Sequence, residues 1–289
     1  MERNEQKAIE ALLARHGFHF SKSMGQNFLI KREVPHMIAA ASGAQETDGV
    51  LEIGPGIGAL SSELCRRAGK VVAVELDQTL LPILDETMAN FDNFEVVSGD
   101  ILKLDIPALV REKLAGYTPI VCANLPYNIT TPVLTALIRA KCFRSITVLV
   151  QLEVAQRLCA RPGTAAYGAF SVFMQYYTEP SLRFEVAREH FVPTPKVTSA
   201  VMRAEVREAP PVEVEDEEFF FRTVNAAFAL RRKTLVNSLM TAFGSQLSKD
   251  ELTQAVTACG LDASVRGERL GLEQFAALSA ELQRRLAAK

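Results

Sequence analysis

The chain has 289 residues, 48% hydrophobic and 23% charged, with a formal net charge of −2, enough for two domains and a sizeable core in ordinary globular proportions. No window approaches eighteen apolar residues, which excludes a membrane-spanning helix; the near-neutral charge excludes a protein-wide grip on nucleic acid, so any such surface is local. Five cysteines with no C-x-x-C spacing argue against a disulfide framework or a zinc site and predict free thiols. The polar, acidic start Met1–Gln6 is unlike a targeting peptide, so a cytoplasmic location is expected.

Apolar residues Ile9, Leu12 and Leu13 recur at helical spacing over 5–15, and Gly17 interrupts them. An irregular, locally basic segment, 21–30, precedes a helix around 32–42. Gly49–Ile53 reads as a buried strand running into glycines, followed by a helix from Ala59 to about Arg67. Val71–Val74 is a second strand, with a helix over 78–89, and Phe94–Val97 a third, closed by Ser98-Gly99-Asp100. Ile120–Ala123 forms the fourth, after which Thr131 and Pro132 read as N-cap and first residue of a helix. Ile146–Val150 is the fifth. Strands alternating with helices imply an α/β fold, a Rossmann-like, doubly wound and mostly parallel sheet; 181–187 and 199–206 extend it as an antiparallel edge. Proline and acid over 208–216 mark a linker. Beyond it only helical periodicity recurs, over 217–229, 232–243, a segment opened by the capping box Ser248–Glu251, and 272–287. The expected organisation is a first domain over 1–207 and a small all-helical domain over 217–289. No heptad seam suggests obligate pairing, so a monomer is expected.

The segment Glu52-Ile53-Gly54-Pro55-Gly56-Ile57-Gly58 joins a strand to a helix, and its glycines allow a tight turn and close approach of a ligand. Glu75 ends the second strand, where a carboxylate can take both hydroxyls of a ribose. Asp100 ends the third, where it can accept from the amino group of an adenine. These positions predict an adenosine-containing cofactor. Gly54 to Ala59 also satisfies G-x-G-x-x-[GA], so the loop by itself leaves a nicotinamide dinucleotide open. The acid pair, and the absence of a His or Lys placed for hydride chemistry over 124–127, favour S-adenosylmethionine.

Asn124-Leu125-Pro126-Tyr127 follows the fourth strand directly. An amide, free carbonyls and an aromatic face at the lip of a sheet suit a flat, weakly nucleophilic amine such as adenine N6. Acceptors on its two N–H bonds draw it toward a tetrahedral, attacking geometry, and a stacked ring fixes its plane. A simple strand-to-turn corner would use the same residues for packing.

Taken in order, Gly25-Gln26-Asn27-Phe28-Leu29, the glycine loop, Glu75-Leu76-Asp77, Gly99-Asp100, Asn124 to Ile129, Phe191 to Val197 with Ser199-Ala200-Val201, and Phe228 to Thr234 resemble the ribosomal RNA adenine dimethyltransferases of the KsgA type. The resemblance covers roughly 18–270. It implies transfer of methyl groups to N6 of two adjacent adenosines near the 3′ end of small-subunit (16S) RNA, on an assembling 30S subunit. It further implies that Asn27, Leu29, Gly54, Gly56, Glu75, Asp100 and Asn124 line the cofactor pocket and that Asn124 and Leu125 accept the amine protons. Tyr127 and Phe191 would then sandwich the base. Lys22, Lys196, Arg231, Arg232 and Lys233 are the expected phosphate contacts, with Ser21-Lys22-Ser23 less basic than in relatives. No metal is expected. Alternatives are a methyltransferase of large-subunit RNA, a non-catalytic assembly factor on the same fold, and a dehydrogenase.

Overall fold

The computed structural model describes residues 2–20 and 25–288, with side chains from residue 6 onward. The chain divides into two compact units, one formed by Met1–Ala155 with Ser181–Val206, the other by Gln156–Pro180 with Arg207–Lys289. The second unit therefore takes in a segment, 156–180, that the expected 1–207 domain would have kept in the first.

In the first unit, α1 (Glu2–Arg15) and the short strand β1 (Phe28–Leu29) precede α2 (Glu33–Ala41). Then come β2 (Asp48–Ile53), α3 (Ala59–Cys65), β3 (Lys70–Glu75), α4 (Leu81–Thr87), β4 (Phe94–Ser98), α5 (Ile106–Lys113), β5 (Thr118–Asn124), α6 (Thr130–Arg139) and β6 (Ser145–Gln151). After α7 (Leu152–Leu158) and α8 (Ala169–Tyr177), the chain runs through β7 (Thr178–Val186), β8 (Phe191–Val192) and β9 (Ser199–Val206). The seven-stranded sheet has the order β4-β3-β2-β5-β6-β9-β7. β2 through β6 pair in parallel, and β9 lies antiparallel to β6. β2, buried along its whole length, has β3 on one side and β5 on the other. The order reverses there, which opens a crevice beyond the carboxyl ends of β2 and β5, where open α/β sheets hold ligands.

The core is built from Val50, Val71, Ile120 and Cys122 of the strands with Ile38, Leu60, Leu64 and Leu84 of the helices. These are continuous apolar runs, as strands covered on both faces require. A second cluster joins Leu13, Phe18 and Phe28 to Ile57, Leu80 and Ile83, fixing α1 against the glycine loop. The rings of Phe18, Phe20 and Phe28 meet at 5.4–5.7 Å. β1 pairs antiparallel with β8, Leu29 opposite Phe191 and Phe28 opposite Val192.

Two local expectations differ. α6 begins at Thr130, not Thr131; a 3-10 turn over Tyr127–Ile129 feeds into it, and Ile129 at the N-cap offers no side-chain bond. Pro132 still lies in the first turn, where its missing N–H costs nothing. α5, α7 and α8 were not expected. For α5 the signal was present: Asp105 accepts from the Ala108 amide at 3.0 Å, ahead of Pro107.

The second unit is helical apart from its share of β7, with α9 (Glu217–Phe228), α10 (Leu235–Phe243), α11 (Lys249–Ala258) and α12 (Leu272–Ala287). Ser248 and Glu251 form the expected reciprocal cap on α11. All five cysteines are free, and no described helix is long and apolar enough to cross a membrane.

Candidate active site

A cleft of about 310 Å³ occupies the crevice, within the range of small-molecule sites. Its lining comes from the ends of β2, β3, β4 and β5 and from the segment 25–29. Asn27, Leu29, Gly54, Gly56, Glu75, Asp100, Asn124, Leu125 and Tyr127 all line it. The sequence motifs, scattered over a hundred residues, therefore converge on one cavity.

The glycine loop forms the floor. Gly54 and Gly56 have φ of +67° and +60°, in the left-handed region that a side chain makes costly. A Cβ on Gly54 would meet only Pro126 Cδ, at 4.0 Å, so it would occupy the cavity itself; on Gly56 it would press Phe28 Cε1 at 3.0 Å. Glu75, 6% exposed, accepts from the Asp77 amide at 2.8 Å and the Gly56 amide at 3.4 Å. Burial pushes its carboxyl upward, and those two amides oppose the push. Asp100 accepts from the Leu102 amide at 3.0 Å and lies 3.7 Å from Lys103 Nζ.

Glu52 also reaches the cavity. It is 1% exposed, its Oε2 has no hydrogen-bond partner, and burial, reinforced by the Glu75 charge, raises its carboxyl to about 8. The motif contained this residue, but its strand position masked a buried acid. Leu76 and Ile101 line the cavity beside the two strand-end acids; Leu76 is 53% exposed. Sequence reasoning missed both as ligand-facing groups, although each immediately follows an acid singled out at a strand end.

The other end of the cleft is built on β5. Asn124 Nδ2 donates to the Asn27 carbonyl at 3.0 Å. A carbonyl only accepts, so this contact fixes which end of the carboxamide is nitrogen and leaves Oδ1 as the acceptor. Ile129 N and Thr130 Oγ1 both bond the Pro126 carbonyl, which leaves the Leu125 carbonyl as the acceptor this turn can offer. The Tyr127 hydroxyl shares a 2.6 Å hydrogen bond with Ser199 Oγ, tying the ring to β9.

Phe191 requires a correction. Its ring is 1% exposed, packed in the core with Leu29, Val186 and Val201, and is not part of the cleft lining. Pairing of β1 with β8 draws it inward, so of the two rings expected to form the sandwich only Tyr127, half-buried, lines the cleft.

Of the expected cations, Lys22 lies outside the described residues and Lys196 is exposed between β8 and β9. Arg231, Arg232 and Lys233 form the turn between α9 and α10, not a helix face. Arg231 is engaged within its own unit, donating to the Tyr167 carbonyl at 3.0 Å and to the Ala165 carbonyl, with Glu268 3.8 Å away. Arg232 and Lys233 are exposed. No group of metal-ligating side chains occurs among the described residues.

A floor of glycines at positive φ, acids at successive strand ends, apolar walls beside them and a buried carboxyl oxygen without a partner match the parts of S-adenosylmethionine: a polar tail, a ribose and a purine. Fold and cleft together define an S-adenosylmethionine-dependent methyltransferase. Residues 17–283 match the family described as ribosomal RNA adenine dimethylase, and the chain belongs to that family. It is 46% identical over 275 residues to the ribosomal RNA small subunit methyltransferase A of Geobacillus sp. (strain WCH70), covering 94% of each chain. It is 47% identical over 271 residues to the protein of that name from Bacillus cereus (strain B4264), covering 93% of each. Among solved structures, a dimethyladenosine transferase from Plasmodium falciparum superposes with a TM-score of 0.74 at 22% identity, over 89% of this chain and 98% of the other. The 23S rRNA methyltransferase ErmE does so at 0.67 and 27%, over 89% and 99%. The chain is an S-adenosylmethionine-dependent rRNA adenine dimethyltransferase.

Proposed function

We propose that this enzyme dimethylates N6 of two adjacent adenosines in the 3′-terminal hairpin loop of 16S RNA, acting as a monomer in the cytoplasm on the 30S subunit or its precursor. Identity of 46–47% to proteins named for the small subunit supports this over the large-subunit activity of ErmE, at 27%. The observation that carries the chemistry is the Asn124–Asn27 hydrogen bond, which reserves Oδ1 for an incoming donor.

S-adenosylmethionine, when bound, supplies a methyl group on a positively charged sulfur. Gly54 and Gly56 let its tail approach the backbone, Glu75 takes the ribose hydroxyls, and Asp100 accepts from the purine amino group between Leu76 and Ile101. Asn27 and Leu29 close the front of the pocket. At the other end, Asn124 Oδ1 and the Leu125 carbonyl accept the two N–H bonds of the target amine, turning its lone pair out of conjugation. Tyr127, held by Ser199, stacks on the base, worth about 1–3 kcal/mol. An acceptor suffices in place of a base, because the nitrogen's protons become acidic only as the new bond forms. A loop adenosine lowers the cost of leaving its stack. Lys196, Arg232 and Lys233 are the phosphate contacts we retain.

The test is incubation with unmethylated small subunits and methyl-labelled S-adenosylmethionine, followed by digestion to nucleosides. Label is expected in N6,N6-dimethyladenosine from small-subunit RNA. Label confined to large-subunit RNA would transfer the assignment to the ErmE-like activity, and subunit binding without label would make the protein an assembly factor.

A further inference from the structure

We infer that Gln26 is a positioning residue for Asn124, acting through the Asn27 main chain: its side chain latches the front segment onto Asp77 and so holds the carbonyl that orients the carboxamide. The inference rests on the proposed role of Asn124 and adds to it the device that keeps that side chain in its working orientation.

Gln26 Nε2 donates to Asp77 Oδ2 at 2.7 Å. Asp77 is itself held: its Oδ1 accepts from the Thr79 amide at 3.0 Å and from Thr79 Oγ1 at 2.6 Å, and its own amide donates to Glu75 at 2.8 Å. Against burial, which pushes the other way, the bonds from Thr79 and Gln26 keep the Asp77 carboxyl below its ordinary value. One residue further on, the Asn27 carbonyl accepts Asn124 Nδ2, while Asn27 Nδ2 donates to the Gly25 carbonyl at 3.1 Å. Beyond it, Phe28 and Leu29 are pinned by pairing with β8. The orienting carbonyl is thus anchored on both sides, by the Gln26–Asp77 bond and by the β1–β8 ribbon. The ribbon holds the segment from its carboxyl side and the Gln26–Asp77 bond from its amino side. Opening the latch removes one of these tethers, which loosens the carbonyl and lets the carboxamide turn over more often. Its NH₂ would then face the N–H bonds of the substrate amine, a donor against donors.

The experiment compares Gln26→Met and Gln26→Glu with wild type, alone and in an Asn124→Ala background. Cofactor dissociation constants are measured by calorimetry and turnover on unmethylated small subunits. Methionine keeps the length and packing of the side chain. The expected result for Gln26→Met is a loss of about tenfold in kcat at saturating cofactor, the effect of one hydrogen bond to a charged group, larger than any weakening of cofactor binding. Gln26→Glu sets two carboxylates together and can donate only when protonated. Its turnover relative to wild type should therefore rise as pH falls, which a packing role would not produce. In the Asn124→Ala background Gln26→Met should add less than about twofold, since residues acting through one contact are not additive. A full further tenfold loss there, a kcat unchanged by Gln26→Met, or a flat pH ratio for Gln26→Glu overturns the latch while leaving Asn124 intact. Near-normal turnover of Asn124→Ala alone overturns the underlying role, and the latch with it.

Discussion

In the proposed mechanism Asn124 acts through a single side-chain orientation. Its nitrogen is committed to the Asn27 carbonyl, so truncation removes an acceptor already aimed before substrate arrives. Asn124→Ala should lower kcat by about 10²–10³-fold, the order seen when one preorganised polar contact is lost; single-turnover methyl transfer at saturating cofactor measures it. Glu52 shows the opposite condition, a buried carboxyl whose Oε2 has no partner and whose burial outweighs the Ser61 hydroxyl that opposes it. Its folded value near 8 stands above the 4.5 of the exposed acid. The folded protein therefore holds a proton that the unfolded chain releases between those values. The stabilisation is complete below about 4.5 and is lost as pH rises through about 8. Without ligand, Glu52→Gln should flatten the decline in stability across that window, as denaturant midpoints at successive pH values would record. An unchanged pH slope would mean that Glu52 is ionised in the folded state.

The turn from β2 into α3 carries a different burden. Gly54 sits where a side chain would meet empty cavity, at a backbone angle that costs a non-glycine residue about 1–2 kcal/mol. Gly54→Ala should fold with a modest loss of stability yet bind S-adenosylmethionine at least about tenfold more weakly, by calorimetry. Equal loss in both would reduce the glycine to a conformational requirement. Elements of this kind are legible in the sequence, because glycines, strand-end acids and a tetrapeptide after an apolar run obey strand geometry. What escaped was set by long-range packing. Phe191 reads as an exposed stacking ring, but pairing of β8 with β1 turns it into the core. The aromatic run of α8, Ala169–Tyr177, fits neither period cleanly, and α8 falls to the second unit.

At the scale of the whole molecule, a net charge of −2 offers RNA no global attraction, and the proposed contacts are a few exposed cations. Replacing Arg232 or Lys233 with alanine should weaken subunit binding and reduce the slope of log K against log salt by about one each. Arg231→Ala should instead lower the stability of the second unit, because its guanidinium closes contacts to Tyr167, Ala165 and Glu268. Titration of binding with salt, beside melting curves, separates the two effects. The basic triplet was visible in the sequence, but its division into one structural and two exposed cations was not. That distinction depends on carbonyls more than sixty residues upstream.

The ribbon joining Phe28 to Val192 also sets a schedule for biosynthesis. A polypeptide leaving the ribosome has its glycine loop and Asn124 first, yet the front wall waits for the strand Phe191–Val192, made well after both. Arrested nascent chains ending before Val192 should fail to retain a photoreactive adenosine cofactor, and chains extended until that strand clears the exit tunnel should capture it.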